Sequence, residues 1–223
     1  MKAIIQCCKT KATTASFRVG TQRVKFVAHP TLRSEETNDF PAHPDDRMPS
    51  QAMTWREHLV KYNETGENPL QLKPAGELYA PVGYTGYADL LRHFGSTNMY
   101  VLSAGWGSVR AGFLLPDYDI TFRSQDAPKW CVRKPADVFN DFSQLTPEAV
   151  DEDEVAYFFG GGAYLRFFFS TTAHLPVKRV VYYSSKGIPD AKKCRPEKYD
   201  GKGMTWMYRC ASDFCNPSKK LNR

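Results

Sequence analysis

The sequence predicts an α/β fold: a mainly parallel sheet flanked by helices, in a single domain with irregular insertions. Apolar runs of strand length alternate with segments in which apolar residues recur at helical spacing, an order typical of parallel sheets. The chain has 223 residues, which suits one domain rather than several. Its hydrophobic content of 42% and its charged content of 24% are ordinary for a globular protein.

Five segments have the pattern of strands and three have the spacing of helices. The predicted strands are residues 2–8, 17–27, 99–102, Val155–Phe159 and Lys178–Tyr183. The predicted helices are residues 54–62, capped by Thr54, residues 84–94, which Gly95 ends, and residues 163–175. We expect loops at residues 29–49 and 64–74, an irregular excursion over the site at 113–147, and an irregular polar tail after Ser184.

The domain is predicted to span residues 1–215, with an insertion at about residues 29–75. This insertion begins in a segment rich in Pro, Asp, Glu and Thr, a composition that favours loops. The last residues, 216–223, are expected to form a mobile tail.

The charge balance permits an anionic partner. The chain carries 30 Lys and Arg against 24 Asp and Glu, which gives a net charge of +6. This excess is compatible with a nucleic-acid partner but does not require one. No apolar run approaches the ~20 residues of a membrane span, and residues 3–8 are too short for the apolar core of a signal peptide. We therefore expect a cytoplasmic protein with no membrane partner, and the oligomeric state stays open.

The cysteines are expected to be thiols in a reducing cytosol. There are six: Cys7, Cys8, Cys131, Cys194, Cys210 and Cys215. The last three lie close in sequence downstream of His174, so a zinc site is an alternative. However, the chain lacks the paired Cys-x2-Cys spacing of common zinc sites. We expect no metal and no cofactor.

Three predicted strands end in residues that suit a binding site. The first ends at Cys8-Lys9, the middle one at Ser103-Ala-Gly-Trp-Gly107, and a later one at Gly160-Gly-Gly162. In α/β folds, ligands bind at the edge of the sheet where the carboxyl ends of parallel strands meet. Small residues at that edge let a ligand approach the backbone closely. The sequence therefore predicts one site at which these three strand ends converge.

The candidate site residues divide into a catalytic and a nucleic-acid-binding group. Asp119 closely follows the glycine-rich strand end, and we predict that it orients water or stabilises a developing cation. A capping aspartate is the structural alternative, and Lys9 is the second candidate catalytic residue.

The predicted nucleic-acid-binding residues are Lys11 and Arg110 for phosphates, Trp106 and Tyr118 for stacking on a base, Ser103, Gly105 and Gly107 at the strand end, and Gly160, Gly161 and Gly162 as an anion cradle that opens a helix.

Several short motifs resemble those of a known family. They are Gln6-Cys-Cys-Lys-Thr-Lys11, Glu77-Leu-Tyr79, the helix that contains Tyr87, Leu102-Ser-Ala-Gly-Trp-Gly107 and Pro116-Asp-Tyr-Asp-Ile-Thr121. In this order they resemble a bacterial family that is similar to YaaA-type peroxide-stress proteins and related to domains associated with tRNA-guanine transglycosylases. The resemblance covers residues 4–122, and Gln6 stands where that pattern has glycine.

The resemblance implies a nucleic-acid partner, DNA in the first place, and chemistry at an N-glycosidic bond. We therefore expect a DNA glycosylase that acts on a modified or damaged base, in the setting of antiviral defence against phage DNA. Two alternatives stay open: a non-catalytic DNA-binding or stress-protection protein, and a small-molecule enzyme that processes nucleosides or nucleotides. The base, the choice between DNA and RNA, and a lysine Schiff base are also open.

Overall fold

The secondary structure of the computed structural model follows the apolar segments of the sequence. The structure describes residues 1–33, 38–79, 85–122, 125, 127–187, 194–203 and 205–217. Most of the predicted tail, residues 218–223, and the predicted first residue of the 84–94 helix lie outside this description. Within it, the chain forms one open α/β domain around a mostly parallel sheet, which confirms the predicted fold class.

The strands of the described residues form a central sheet, a side sheet and a ribbon. The central sheet contains β1 (Lys2–Gln6), β6 (Met99–Ser103), β7 (Gly107–Arg110), β10 (Phe142–Ser143), β11 (Val155–Phe159), β12 (Lys178–Tyr183) and β13 (Arg195–Lys198). The side sheet contains β2 (Arg18–Val19), β3 (Gln22–Val27), β4 (Phe40–Ala42) and β9 (Tyr118–Asp119). The ribbon pairs β5 (Lys73–Pro74) with β8 (Leu114–Leu115).

The central sheet has the strand order β10-β7-β6-β1-β11-β12-β13. Five neighbouring strands, from β6 to β13, are parallel to one another. β7 is antiparallel to β6, and β10 is parallel to β7. The carboxyl ends of β6, β1 and β11 therefore lie side by side, and the predicted convergence of the three strand ends is confirmed.

Aromatic side chains of β11 hold helices against both faces of the sheet. The helices are α1 (Trp55–Glu64), α2 (Ala75–Leu78), α3 (Thr85–Phe94), α4 (Gly162–Thr172) and α5 (Trp206–Cys215). Phe214 of α5 packs against Tyr157 and Phe159 at ring-centroid distances of 4.8 and 5.5 Å. Phe168 of α4 stacks on Phe158 at 4.4 Å. Because successive strand residues face opposite sides, α4 and α5 cover opposite faces of the sheet.

The predicted start of α1 and end of α3 are both confirmed. The Thr54 side chain accepts a hydrogen bond from the Glu57 N–H at 3.2 Å, and Glu57 accepts one from the Thr54 N–H at 2.7 Å. This reciprocal pair is a capping box, which satisfies two backbone donors that have no partner within the helix. Gly95 follows α3 with a φ of +74°, the left-handed conformation that commonly ends a helix.

The side sheet joins the insertion to the segment that follows β7. β3 pairs in parallel with β9, so that Phe26 lies opposite Tyr118 and Val27 lies opposite Asp119. Two predictions are corrected here. Residues 17–27 form a hairpin rather than one strand, because the chain turns at Gly20, where φ is +58°. The predicted loop at 29–49 contains β4, which pairs with β3.

The prediction of an irregular tail after Ser184 is wrong. β13 adds a strand to the central sheet by pairing with β12. α5 follows and packs along α3. Its buried residues include Met207, Tyr208, Cys210 and Ala211, which recur at helical spacing. The charged and glycine-containing segment before α5 conceals this short pattern.

Arg133 attaches the excursion at residues 113–147 to the domain. Its guanidinium donates to the two Asp141 carboxylate oxygens at 2.5 and 2.8 Å and to the Ala104 carbonyl at 2.9 Å. It also lies 3.8 Å from the ring centroid of Phe139 and 5.2 Å from that of Phe167 on α4. Arg133 therefore links the described part of this excursion to the end of β6 and to α4.

We predict that Gly107→Ala destabilises the domain strongly. Gly107 has a φ of +102°, and an added Cβ would lie 1.9 Å from the Phe142 carbonyl oxygen. The strain and the clash are expected to lower the free energy of unfolding by about 3 kcal/mol. Gly95→Ala is the matched control, since its added Cβ meets nothing within 4 Å, and it should cost only about 1 kcal/mol. Urea denaturation measures both, and equal losses would contradict the clash.

Candidate functional site

The carboxyl end of β1 lies at the centre of a network of buried tyrosines. Tyr87 of α3 donates to the Gln6 carbonyl at 2.6 Å, and Tyr208 of α5 donates to the Cys7 carbonyl at 3.4 Å. Tyr164 of α4 shares a hydrogen bond with the Cys7 Sγ at 3.1 Å. Burial raises the pKa of Tyr87, of Tyr164 and of Tyr208. These hydroxyls therefore stay protonated and tie three helices to the strand end.

A second part of this network lies at the end of β6. The hydroxyls of Tyr79 and Tyr118 share a hydrogen bond at 2.5 Å, and Ser103 Oγ donates to the Tyr118 hydroxyl at 2.8 Å. Burial raises the pKa of both tyrosines. Tyr118 and Ser103 are fully buried. The prediction that Tyr118 stacks on a base is therefore wrong, and Ser103 positions Tyr118 rather than contacting a ligand.

Charged side chains surround Tyr118 on the side sheet. Lys25 Nζ lies 2.8 Å from a carboxylate oxygen of Asp117 and 3.3 Å from one of Asp119. Arg23 also contacts Asp117, at 3.4 Å. The Asp117 side chain is 11% exposed and the Asp119 side chain is 32% exposed. Asp119 is therefore the carboxylate that a substrate at this edge can reach.

Lys11 lies against the ring of Tyr118, beside this cluster. Its Nζ is 4.3 Å from the ring centroid and donates to the Lys9 carbonyl at 3.1 Å. Burial lowers the pKa of Lys11, although nearby acidic groups, Asp119 among them, oppose the shift. The Lys9 side chain is exposed to solvent. Of the two predicted lysines, Lys11 is thus the one that belongs to the cluster, and Lys9 lies at its rim.

Two thiols adjoin the cluster, and neither is activated. Burial raises the pKa of the Cys8 thiol to about 11 and that of the Cys131 thiol to about 12. Both groups are therefore neutral and weakly nucleophilic at physiological pH. The Cys131 carbonyl accepts a hydrogen bond from the Thr121 N–H at 3.0 Å, which places this part of the excursion beside the end of β9.

Three residues of the predicted glycine-rich strand end serve the interior of the domain. Trp106 is 1% exposed and packs edge-on against Phe26 at 4.8 Å, so the prediction that it stacks on a base is wrong. A Cβ at Gly105 would lie 2.9 Å from the Ile120 side chain. Gly107 makes the turn into β7. The small residues here allow close packing of the protein on itself rather than the approach of a ligand.

Arg110 lies away from the other predicted site residues. It pairs with Tyr100 near the beginning of β6, whereas Ser103, at the site, pairs with Gly107. Three residues of a strand span roughly 10 Å. Because β7 runs back toward the amino edge of the sheet, Arg110 does not join the site around Asp119, and its predicted contact with phosphate stays a prediction.

The predicted anion cradle at Gly160 to Gly162 is largely occupied by the protein. Gly160 is buried against the Phe158 ring. The Gly161 N–H donates to the side-chain oxygen of Gln6 at 2.7 Å. Gly162, in the first turn of α4, is exposed. Gln6 thus supplies the acceptor that an anion would have supplied, and it links the ends of β1 and β11.

The sequence analysis missed several residues of this site. Lys25 and Asp117 complete the charged cluster, and Tyr79 and Tyr208 complete the buried network. The apolar-polar alternation of residues 17–27 hinted that Lys25 faces one side of a strand. The pairing of β3 with β9, which brings Lys25 to Asp117, has no local sequence signal.

Comparisons with protein-family models, with curated proteins and with solved structures found no match to this chain. The family resemblance drawn from the motifs therefore stays a prediction. In the part of the chain that the structure describes, no helix is long and apolar enough to span a membrane. The same residues contain no group of three or more His, Cys, Asp or Glu side chains that could hold a metal ion.

We predict that Tyr118→Phe lowers the free energy of unfolding by about 2 kcal/mol, because it deprives the buried Tyr79 and Ser103 hydroxyls of a partner. Tyr183→Phe is the control: this tyrosine is partly exposed, and the change should be below about 0.5 kcal/mol. Thermal and urea unfolding measure both variants. A loss at Tyr118 no larger than that at Tyr183 would show that the network contributes little to stability.

Proposed function

We propose that this chain is a DNA glycosylase that hydrolyses the N-glycosidic bond of a modified or damaged base, including bases of phage DNA. The proposal rests on Asp119, a carboxylate that Lys25 holds at one oxygen and that stays partly exposed at the carboxyl edge of the sheet. Breaking an N-glycosidic bond leaves positive charge on the sugar. A carboxylate held in place stabilises that charge without reorganising as it develops.

The reaction begins with a nucleotide that has left the base stack, since the bond is inaccessible inside a duplex. The bond between C1′ and the base nitrogen breaks, and its electron pair leaves with the base. Asp119 stabilises the cationic sugar and orients a water molecule. The water oxygen bonds to C1′ and its proton is transferred to the base, so that the products are an abasic site and a free base. Lys9, exposed at the rim, is suited to a flanking phosphate.

The position of Asp119 favours catalysis over binding alone. A surface that only bound the DNA backbone would be weakened by an exposed carboxylate, because it repels phosphates. A carboxylate is favourable where positive charge develops during a reaction, because it stabilises that charge. A protein that only binds DNA therefore accounts for the positive charges of Lys9 and Lys25. It does not account for the negative charge of Asp119 at the same edge.

The charge distribution along the sheet supports a nucleic-acid partner. Exposed basic residues continue along the carboxyl edge, at and after the ends of β12 and β13 and in the first turn of α5: Lys186, Lys198, Lys202 and Arg209. The opposite edge carries the acidic run at residues 151–154, directly before β11. Neighbouring strands are ~4.8 Å apart, so β13 lies roughly 19 Å from β6. That distance matches about six base pairs of duplex at 3.4 Å each.

We predict that Asp119→Asn lowers the rate of base release by roughly 100- to 1000-fold, because the neutral amide stabilises the sugar cation poorly. Asp200→Asn is the matched control, since it removes one exposed carboxylate from the same edge outside the cluster. Duplexes with unmodified, damaged and phage-modified bases are incubated with each protein. Released base and alkali-labile breaks are then measured.

The same assay separates the alternatives. Unchanged base release by Asp119→Asn would overturn the role of Asp119. Salt-sensitive duplex binding with no base release from any substrate would favour the non-catalytic protein. Neither binding nor release would favour the enzyme that processes nucleosides or nucleotides.

We predict that Lys198→Glu combined with Lys202→Glu weakens duplex binding and reduces its salt dependence. Each lost phosphate contact should reduce the slope of log affinity against log salt by about 0.9. Lys178→Glu combined with Arg195→Glu makes the same change in charge at the amino ends of β12 and β13. Fluorescence anisotropy across a salt series measures both. Equal effects of the two double variants would contradict a track along the carboxyl edge.

A further inference from the structure

Lys11 differs from the other lysine of the cluster in what it contacts. Lys25 is held between Asp117 and Asp119, at 2.8 and 3.3 Å. Lys11 Nζ instead lies over the face of the Tyr118 ring at 4.3 Å and donates to a backbone carbonyl at 3.1 Å. Among the described residues it forms no ion pair. Its amine is thus positioned by an aromatic face and one hydrogen bond, and Asp117 and Asp119 act on it only from beyond ion-pair distance.

This environment suits a nucleophilic amine. A lysine attacks a carbonyl carbon only in its neutral form, and removal from water favours that form. Burial lowers the pKa of Lys11 and outweighs the opposing effects of Cys7, Asp119 and Asp117, while the charge of Lys25 acts in the same direction as burial. The exposed Lys9 lacks such surroundings. Lys25 instead lies between two carboxylates, at 2.8 and 3.3 Å.

We propose that Lys11 forms an imine with the C1′ aldehyde of an abasic site and gives this protein abasic-site lyase activity. The substrate class rests on the proposed function, because base release next to Asp119 would leave an abasic sugar at this edge. The inference concerns the step after base release, and it does not require the protein itself to have made the abasic site.

The proposed reaction is an addition followed by an elimination and a hydrolysis, and it requires no oxidant. The neutral amine adds to the aldehyde carbon of the ring-opened sugar, loss of one water gives an imine, and the imine nitrogen takes up a proton from solvent. A base removes a proton from C2′, and Asp119 is the nearby exposed carboxylate that is suited to this role. The electron pair of that C–H bond expels the 3′-phosphate as the C3′–O bond breaks. Water then hydrolyses the imine, which releases the unsaturated aldehyde and regenerates Lys11.

The test uses a duplex with a single preformed abasic site, so it does not depend on which base the protein recognises. The protein is mixed with this duplex and sodium borohydride, which reduces an imine to a stable amine. Covalent complexes are separated on denaturing gels, and the linked peptide is identified by mass spectrometry. We expect a complex linked at Lys11 and strand breaks 3′ to the abasic site when borohydride is omitted.

Lys11→Met keeps a long side chain against Tyr118 and removes the amine, and Lys61→Met is the control at an exposed lysine of α1 outside the cluster. We expect trapping to fall at least about 100-fold in the first variant and to stay within twofold in the second. Anisotropy on the same duplex shows that the variant still binds. Trapping that persists in Lys11→Met, or linkage of the wild type at another lysine, would overturn the proposal. If the Lys11→Met variant does not fold, the test is the residue that mass spectrometry finds joined to the DNA in the wild-type complex.

The result of the trapping experiment does not depend on the result of the base-release assay. Trapping at Lys11 without base release from any duplex would retain the lyase and overturn the glycosylase. Base release without trapping would retain the glycosylase and overturn the role of Lys11.

Discussion

Buried hydroxyl groups need hydrogen-bond partners, and at the end of β1 this requirement organises the molecule. Tyr87, Tyr164 and Tyr208 come from three helices, and each finds its partner on Gln6 or Cys7. An unpaired buried hydroxyl costs roughly 1–3 kcal/mol, so each helix is held in the position that satisfies its tyrosine. Because these helices lie on both faces of the sheet, the carboxyl edge is held from both sides.

Tyr118 connects this interior network to the charged cluster formed by Lys25, Asp117 and Asp119. Its hydroxyl bonds to Tyr79 and Ser103 inside the domain, while its ring supports Lys11. Neighbouring residues in a strand face opposite sides. When Tyr118 points inward, Asp119 is therefore directed toward Lys25 and the solvent. A change that loosened the buried hydroxyl would displace both charged groups, even though neither takes part in the buried network.

The sequence was most informative where local pattern and topology agree. The apolar runs at 2–8 and 155–159 became parallel strands, and the parallel arrangement alone brought their ends together. Trp106 was misassigned because glycines beside an aromatic residue suit a ligand pocket and a tight interior turn equally well. Lys25 could not be predicted because its partners, Asp117 and Asp119, lie directly before and within β9, more than 90 residues away in the sequence. α5 was missed because ten residues of helical spacing are a weak signal within a polar segment.

The charges at this edge divide it into a place for a sugar and a place for phosphates. Lys25 is held between Asp117 and Asp119, and burial lowers the pKa of Lys11. Asp119 is the partly exposed carboxylate of the cluster around Tyr118, and its negative charge repels phosphate. It suits a sugar on which positive charge develops. The attraction for phosphates then comes from the exposed Lys9 and from the basic residues after β12 and β13. Binding and chemistry are thereby assigned to neighbouring parts of one edge, which allows a phosphate backbone to be held without neutralising the carboxylate that acts on its sugar.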